Sequence, residues 1–186
     1  MRIVAVKSKL PDVAALKKSL ADIDFLFFPA IHEHDRVFVP TGFTHDPYPM
    51  SMVLRSTAAD SKSAPTSSMI FRRYIPEKEF LLTHITEVKN YEDAAQILQQ
   101  LGFTLRAEVT KHREICPFDS HTSIIHDHVP GLGDFIKIEA KLKADQDPKA
   151  LRDDLVATLG VLRLDPALIT PHSYASLMKE KKEKKS

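Results

Sequence analysis

The feature that most constrains the fold is a charged segment in which polar and apolar residues alternate. From Phe135 to Leu142 every second residue after Phe135 is apolar, and Lys137, Glu139 and Lys141 lie between them. Successive side chains of a β-strand point to opposite sides, so the pattern predicts a strand with one apolar and one charged face. The charged face must meet either bulk water or a polar cavity that holds a charged ligand.

Two neighbouring segments extend this prediction. A glycine-rich turn, Pro130–Asp134, connects the charged strand to a preceding strand predicted over Thr122–Val129. Before that strand, the basic residues Lys111 and Arg113 are separated by one residue and therefore share a face of their own strand. The three segments predict adjacent strands that carry both basic and acidic side chains.

The order of predicted elements is then repeated along the chain. A strand, a helix and three further strands occur twice, and two helices follow them. This duplication predicts an α+β fold in which about eight antiparallel strands close into a barrel or tunnel with peripheral helices. The predicted strands are 3–10, 36–39, 50–57, 68–74, 80–88, 104–115, 122–129 and 135–142, and the helices begin near Pro11, Asn90, Asp147 and Pro171.

Length and composition limit the classes of protein to which the chain can belong. The chain has 186 residues, which we divide into one domain over residues 1–178 and a charged flexible tail over 179–186. The net charge of +1 gives no overall signal for nucleic acid or membrane binding. The single cysteine, Cys116, is expected to be a buried structural thiol. No apolar run approaches the ~20 residues of a membrane span, so we expect a cytoplasmic protein.

Several motifs now point to a known family. The hairpin Val-x-Gly-Leu-Gly-Asp-Phe at 129–135, which follows Lys-x-Arg-Glu at 111–114, is the most specific of them. On these motifs the sequence resembles the CYTH domain, a family of triphosphate tunnel enzymes that includes class IV adenylyl cyclases and thiamine triphosphatases. The likeness is closest to the class IV cyclase-like branch. Supporting motifs are Val6–Asp12, Leu101-Gly102-Phe103, Asp165-Pro166 and Ser173-Tyr174.

The resemblance implies a tunnel in which basic residues hold a triphosphate. In the family, an amino-terminal Glu-x-Glu-x-Lys motif and later acidic residues bind divalent metal ions, which neutralise phosphate charge and orient the reacting oxygen. A cyclase would direct the ribose hydroxyl at the α-phosphate, whereas a triphosphatase would direct water at the terminal phosphate. By this likeness, Asp127 and Glu139 are the residues expected to hold Mg²⁺ or Mn²⁺.

The match departs from the family at its metal ligands. When Lys7 is aligned with the motif lysine, Ile3 and Ala5 stand where the two glutamates belong. Neither hydrocarbon side chain can ligate a hard cation, which needs oxygen donors. Lys137 occupies the position of a further carboxylate, and Glu139 lies two residues beyond it. We therefore expect a weakened metal site and assign no catalytic residue.

The basic positions of the family are better retained. Lys7, Lys111 and Arg113 match directly, and Arg55 matches the first arginine of a Leu-Arg-x-Arg strand. In the fourth strand either Arg72 or Arg73 stands for the family lysine, with a register uncertain by one. The expected substrate-binding set is Lys7, Arg55, Arg73, Lys111, Arg113 and Lys137.

Histidines offer a different site. The chain has nine, and His126 and His128 share one strand face, where two imidazoles and a third partner could bind zinc. If Asp127 faces the tunnel, strand alternation turns both histidines away from it. We favour a surface or packing role for these residues.

Three functions of different classes remain open. The first is an enzyme that acts on a nucleoside or inorganic triphosphate, as an adenylyl cyclase or a triphosphatase. The second is a protein that binds triphosphate or polyphosphate but has lost metal-dependent turnover. The third is a protein-interaction scaffold, as a homodimer or with another partner. Because function depends on the site rather than the fold, the resemblance alone does not choose among them.

Overall fold

A computed structural model describes residues 1–43, 50–60 and 62–183. Its eight strands form one closed antiparallel barrel in the order β1-β5-β4-β3-β2-β6-β7-β8. The strands are β1 (Arg2–Lys9), β2 (Ile31–Pro40), β3 (Met50–Ala58), β4 (Thr66–Ile75), β5 (Phe80–Glu87), β6 (Phe103–Pro117), β7 (Thr122–Val129) and β8 (Gly133–Lys141). The helices of the described residues are α1 (Val13–Ala21), α2 (Tyr91–Gln100), α3 (Pro148–Val161) and α4 (Tyr174–Glu183), with short 3₁₀ turns at Pro76–Lys78 and Pro166–Leu168.

The predicted architecture is confirmed, including the repeated strand–helix–three-strand order. Three helices begin close to their predicted starts, and the side chains of Asp12, Asn90 and Asp147 each accept a hydrogen bond from a backbone N–H of the first turn. One boundary differs in a way that matters for the site. Strand β2 begins at Ile31 rather than near residue 36, which brings two acidic residues into the barrel wall.

The outer face of the barrel is apolar and packs against the helices. The alternate residues Ile136, Ile138 and Ala140 of β8 are buried with Leu16 of α1 and Leu155 of α3. Cys116 is fully buried in the same core, as predicted. A second core lies between α2 and the strands β2 and β3. No helix within the described residues is long and apolar enough to cross a bilayer.

Helix α4 covers one end of the barrel. Its residue Ala175 packs against Val109, Val129 and Phe135, which lie on the inner face of β6, β7 and β8. The predicted boundary at residue 178 falls inside α4, so residues 179–183 are helical and 184–186 lie outside the described residues. The carboxy-terminal helix thus forms part of the wall around the lumen.

Candidate anion-binding tunnel

Strand alternation and cross-strand register determine which side chains face the lumen. Lys7 on β1 pairs with Lys137 on β8, and Arg113 on β6 pairs with Asp127 on β7. Directly paired residues point to the same face of a sheet, so successive pairs trace the inner surface around the barrel. Ten lumenal charged side chains of the described residues are wholly or partly shielded from solvent, namely Lys7, Glu33, Asp35, Arg55, Arg72, Lys111, Arg113, Asp127, Lys137 and Glu139.

These charges divide between two contiguous halves of the barrel. Strands β3, β2, β6 and β7 carry three cations and three carboxylates, and we call this the neutral half. Among the same shielded side chains, strands β8, β1, β5 and β4 carry Lys7, Arg72 and Lys137 against the carboxylate of Glu139, and we call this the cationic half. Three exposed residues of these strands, Lys9, Glu87 and Lys141, face the same side by register. The shielded lumenal side chains therefore have an excess of two positive charges, and both belong to the cationic half.

In the neutral half the cations are bound to carboxylates. Arg55 donates to Asp35 through Nε at 2.7 Å and Nη2 at 2.9 Å, and its Nη1 lies 3.0 Å from Glu33. Lys111 contacts both carboxylates, at 2.5 Å and 3.1 Å. Burial alone would raise the pKa of Asp35, but the hydrogen bonds and charges of Arg55 and Lys111 outweigh it, so the pKa falls below its ordinary value.

The second ion pair of the neutral half joins the barrel wall to α4. Arg113 donates to Asp127 through Nε at 2.7 Å and Nη2 at 2.8 Å, a bidentate pair that is almost completely buried. Tyr174 at the start of α4 donates its hydroxyl to Asp127 at 2.8 Å. Burial would raise the pKa of Asp127, but the charge of Arg113 lowers it well below its usual range. Both oxygens of Asp127 are therefore engaged within the protein.

In the cationic half the positive charges are less well compensated. The Lys7 ammonium contacts the backbone carbonyl of His172 and lies 4.5 Å from the centre of the Tyr174 ring. Burial, with the nearby charge of Lys137, lowers the pKa of Lys7 from 10.5 to about 8. Lys137 pairs with Glu139 at 2.5 Å, and this pair remains partly exposed. Burial also lowers the pKa of Lys137, against the opposing charge of Glu139.

The register of β4 shows that one of the predicted substrate-binding residues is wrong. Arg55 pairs with Ser68, so Ser68, Ile70 and Arg72 face the lumen, whereas Arg73 lies on the outer face and is exposed. The expected substrate-binding residue Arg73 is thus turned away from the tunnel, and Arg72 takes its place. Within the described residues, Arg72 forms no hydrogen bond or ion pair with a carboxylate, although Asp35 and Glu139 act on it electrostatically.

Two further features lie at separate points of the cationic half, an exposed lumenal residue on β1 and an unpaired hydroxyl on β5. Ala5 faces the lumen opposite Glu139 and is nevertheless exposed, so solvent reaches the tunnel there. Thr83 on β5 pairs directly with Arg72 and is 4% exposed. Its hydroxyl has no hydrogen-bond partner among the described residues. A buried hydroxyl without a partner is costly, and such groups in a native protein call for an explanation.

The donor set does not fit a divalent metal ion. Asp127 is held by Arg113 and Tyr174. Glu139 is paired with Lys137, whose positive charge already takes the place that a metal cation would have beside this carboxylate. The described residues contain no group of three or more His, Cys, Asp or Glu side chains arranged to hold a metal. The two residues predicted as metal ligands are therefore occupied by protein cations, in different halves of the barrel.

The histidines form a separate cluster on the outer face. His126 Nδ1 lies 2.7 Å from Glu114, and its Nε2 lies 2.9 Å from Asp134. His128 contacts the same Asp134 oxygen at 3.0 Å. His126 and His128 point away from the lumen, as alternation predicts once Asp127 faces it. The cluster connects β6, β7 and β8 on the side opposite to the tunnel charges.

Comparison with known proteins identifies the family of this chain. The family model of the CYTH domain matches residues 61–174, which is more than half of the chain. The chain belongs to the CYTH domain family. A search of curated protein sequences gives no match for this CYTH domain.

Solved structures share the fold over almost the full length of this CYTH domain. The PH1819 protein of Pyrococcus horikoshii OT3 is 21% identical with a TM-score of 0.81, over 96% of this chain and 99% of its own. A candidate adenylate cyclase from Vibrio parahaemolyticus is 20% identical with a TM-score of 0.78, over 95% and 97%. HpAC1 from Hippeastrum, a candidate adenylyl cyclase described with a dominant triphosphatase activity, is 12% identical with a TM-score of 0.60, over 97% and 96%. At these identities the likeness establishes the fold.

Sequence reasoning missed several lumenal groups. Glu33 and Asp35 fell outside the predicted second strand, although their i, i+2 spacing is the signal that also marked Lys111 and Arg113. Tyr174 belonged to a recognised motif, but its contact with Asp127 depends on how α4 packs over the barrel end. Thr83 carried no sequence signal, because only the register of β4 and β5 places it beside Arg72.

Proposed function

We propose that this CYTH domain binds the phosphate chain of a nucleoside or inorganic triphosphate in its tunnel without a divalent metal ion. The observation that carries the proposal is the excess of two positive charges among lumenal side chains that are at most partly exposed. Such charges repel one another in the free protein and are neutralised when an anion enters. Membership of a family of triphosphate tunnels supports the choice of ligand.

Metal-assisted turnover is a weaker candidate for this chain. Ile3, Ala5 and Lys137 stand where the resemblance implies carboxylates, and the described part of the chain offers no compact set of oxygen donors in their place. A lysine can offset phosphate charge, but it cannot reproduce the coordination geometry of a metal or activate a bound hydroxyl. We therefore expect affinity for triphosphates to persist where cyclisation or hydrolysis is slow or lost.

Isothermal titration tests the proposal directly. Tripolyphosphate and ATP are titrated into the protein in EDTA and then in Mg²⁺ or Mn²⁺, and the mixtures are analysed for pyrophosphate, phosphate and cyclic nucleotide. We expect binding in EDTA and no large gain with metal. Binding that requires metal, together with product release, would instead identify a working enzyme. No binding under either condition would remove triphosphates as ligands.

Adjacent arginines provide a matched control. Arg72→Ala should weaken binding by roughly 10- to 100-fold, the value of one or two charge-assisted contacts. Arg73→Ala removes the same charge from the outer face and should change affinity by no more than about twofold. Equal effects of the two variants would mean that affinity depends only on the overall charge of the protein. That result would exclude the tunnel as the binding site.

A further inference from the structure

Three histidines from neighbouring strands form a row on the outer face of the barrel. His32 of β2 pairs with His112 of β6, and His112 pairs with His128 of β7. A shielded lumenal charge adjoins each of them in sequence, so strand alternation places all three on the outer face. The row continues to Asp134 of β8, the register partner of His128. Only the register of four strands brings these residues together.

The spacing of the rings suits a shared metal ion. The ring centres of His32 and His112 are 4.4 Å apart, and those of His112 and His128 are 6.1 Å apart. Two imidazoles that ligate one tetrahedral ion through nitrogen at ~2.1 Å have ring centres roughly 5 Å apart, which the two separations bracket. No three donors of the described residues already converge on one point. Because His32 and His128 are exposed, their rings can turn toward His112 without displacing packed groups.

The ring nitrogens of the row are available to a ligand. Among the described residues, His32 and His112 contact each other edge to face, and no side chain is hydrogen-bonded to their nitrogens. His128 Nδ1 lies 3.0 Å from Asp134. A proton on Nδ1 leaves Nε2 free to bind a metal, and a carboxylate in this position orients the ring of a metal-binding histidine. His126 does not belong to the row, because carboxylates engage both of its nitrogens.

We propose that His32, His112 and His128 bind one divalent transition-metal ion of the kind that imidazole favours, such as Zn²⁺, Ni²⁺ or Cu²⁺. Water completes the coordination, and Asp134 orients His128. Mg²⁺ and Ca²⁺ prefer oxygen ligands and do not compete. The site lies on the outer face and is independent of the function proposed for the tunnel. An ion bound there joins β2, β6 and β7 and stabilises the folded chain, because the unfolded chain does not hold the three rings together.

Titration with Zn²⁺ alone tests the site. ZnCl₂ is titrated into the full chain in a buffer without chelator, with excess Mg²⁺ present, and the histidine ring signals are followed by NMR. We expect one Zn²⁺ per chain and shifts in the ring signals of His32, His112 and His128, while those of His84 and His121 stay in place. No binding, or shifts confined to histidines outside the row, would overturn the proposal.

Substitutions separate a built site from unspecific binding by surface imidazoles. His112→Ala removes the central ligand and should weaken Zn²⁺ binding by at least about 100-fold, and Asp134→Asn should weaken it by roughly tenfold. His84→Ala removes an exposed imidazole from β5 and should change the affinity by less than about twofold. Equal effects of His112→Ala and His84→Ala would contradict the site.

Urea unfolding provides a readout that does not depend on heat or spectra. Saturating Zn²⁺ should raise the unfolding midpoint of the unaltered protein and of His84→Ala, but not that of His112→Ala. If His112→Ala does not fold, His32→Ala gives the same test, because its side chain is exposed. A Zn²⁺-dependent rise that persists without a histidine of the row would show that the ion binds elsewhere.

Discussion

The two halves of the barrel are built from the same residue types but differ in what their charges do. In the neutral half three cations are held by three carboxylates through short, mostly buried contacts. In the cationic half, three shielded cations lie against one partly exposed carboxylate, which contacts Lys137. Within the described residues each half has one buried oxygen without a hydrogen bond, Glu33 Oε2 and Thr83 Oγ1. A row of basic residues in a tunnel is therefore not by itself a binding site. What matters is which cations the protein has already neutralised.

The departures from the family explain why the imbalance lies where it does. Ile3 and Ala5 on β1 and Lys137 on β8 are the positions at which the resemblance implies carboxylates, and all three belong to the cationic half. Asp127, which is retained, belongs to the neutral half and is bound by Arg113. The three positions without a carboxylate therefore lie in the same half of the barrel as the cations in excess.

The largest expected effect is a difference in stability between two carboxylate substitutions. Asp127→Asn leaves the buried Arg113 without its bidentate partner and with only the 3.3 Å contact to Glu33, and it should lower the free energy of unfolding by about 3–5 kcal/mol. Glu139→Gln breaks a pair that is partly exposed and should cost no more than about 1 kcal/mol. Urea unfolding of both variants measures the comparison. Similar losses in the two variants would show that the halves do not differ as described.

Acid titration gives a second measure of the neutral half. The pKa values of Asp35 and Asp127 are lowered in the folded protein, so their stabilisation is complete above the ordinary carboxyl pKa and is lost as the pH falls below it. Below pH 5 the free energy of unfolding should decrease as the pH falls. The decrease per pH unit should be smaller in Asp127→Asn than in the unaltered protein, by up to ~1.4 kcal/mol. Parallel pH profiles would mean that Asp127 is not held by Arg113 as the structure shows.

In the cationic half, removal of a charge should stabilise the protein. Lys7→Met relieves burial of an ammonium group and its repulsion by Lys137, at the expense of the contact with the His172 carbonyl. We expect a net gain of about 1–2 kcal/mol in unfolding free energy together with weaker phosphate binding. Lys9→Met on the same face of β1 but exposed at the rim is the control. Destabilisation by Lys7→Met would indicate that Lys7 is structural.

Much of the fold was predictable because its signals are local. Strict alternation in 135–142 fixed both faces of β8, and the side chains of Asp12, Asn90 and Asp147 marked helix starts. The closed barrel followed from the repeated element order and the family resemblance.

The site was less predictable because it depends on register and on pairing. Arg72 and Arg73 are identical neighbours, and only the alignment of β4 with β3 decides which one enters the lumen. The sequence also suggested six lumenal cations as equivalent ligands for phosphate. Glu33 and Asp35, which together contact three of them, lie in a polar stretch that gave no strand signal by apolar alternation.

The smallest expected effect concerns the pH dependence of affinity. Because the pKa of Lys7 is about 8 in the free protein and a bound anion favours the protonated form, pyrophosphate affinity should fall as the pH rises above 8. The decrease should amount to about a few-fold and should be absent in Lys7→Met, where the titrating group is gone. Titrations in two buffers of different ionisation enthalpy would show proton uptake on binding at pH 8.5 only in the unaltered protein.

A crystal structure of the metal-free protein with pyrophosphate would show whether free positive charge is confined to the cationic half. We expect phosphate oxygens within hydrogen-bonding distance of Arg72 or Lys7, with the Arg113–Asp127 pair intact. Pyrophosphate bound to Arg113 and Lys111, with Asp127 or Glu33 displaced, would contradict it.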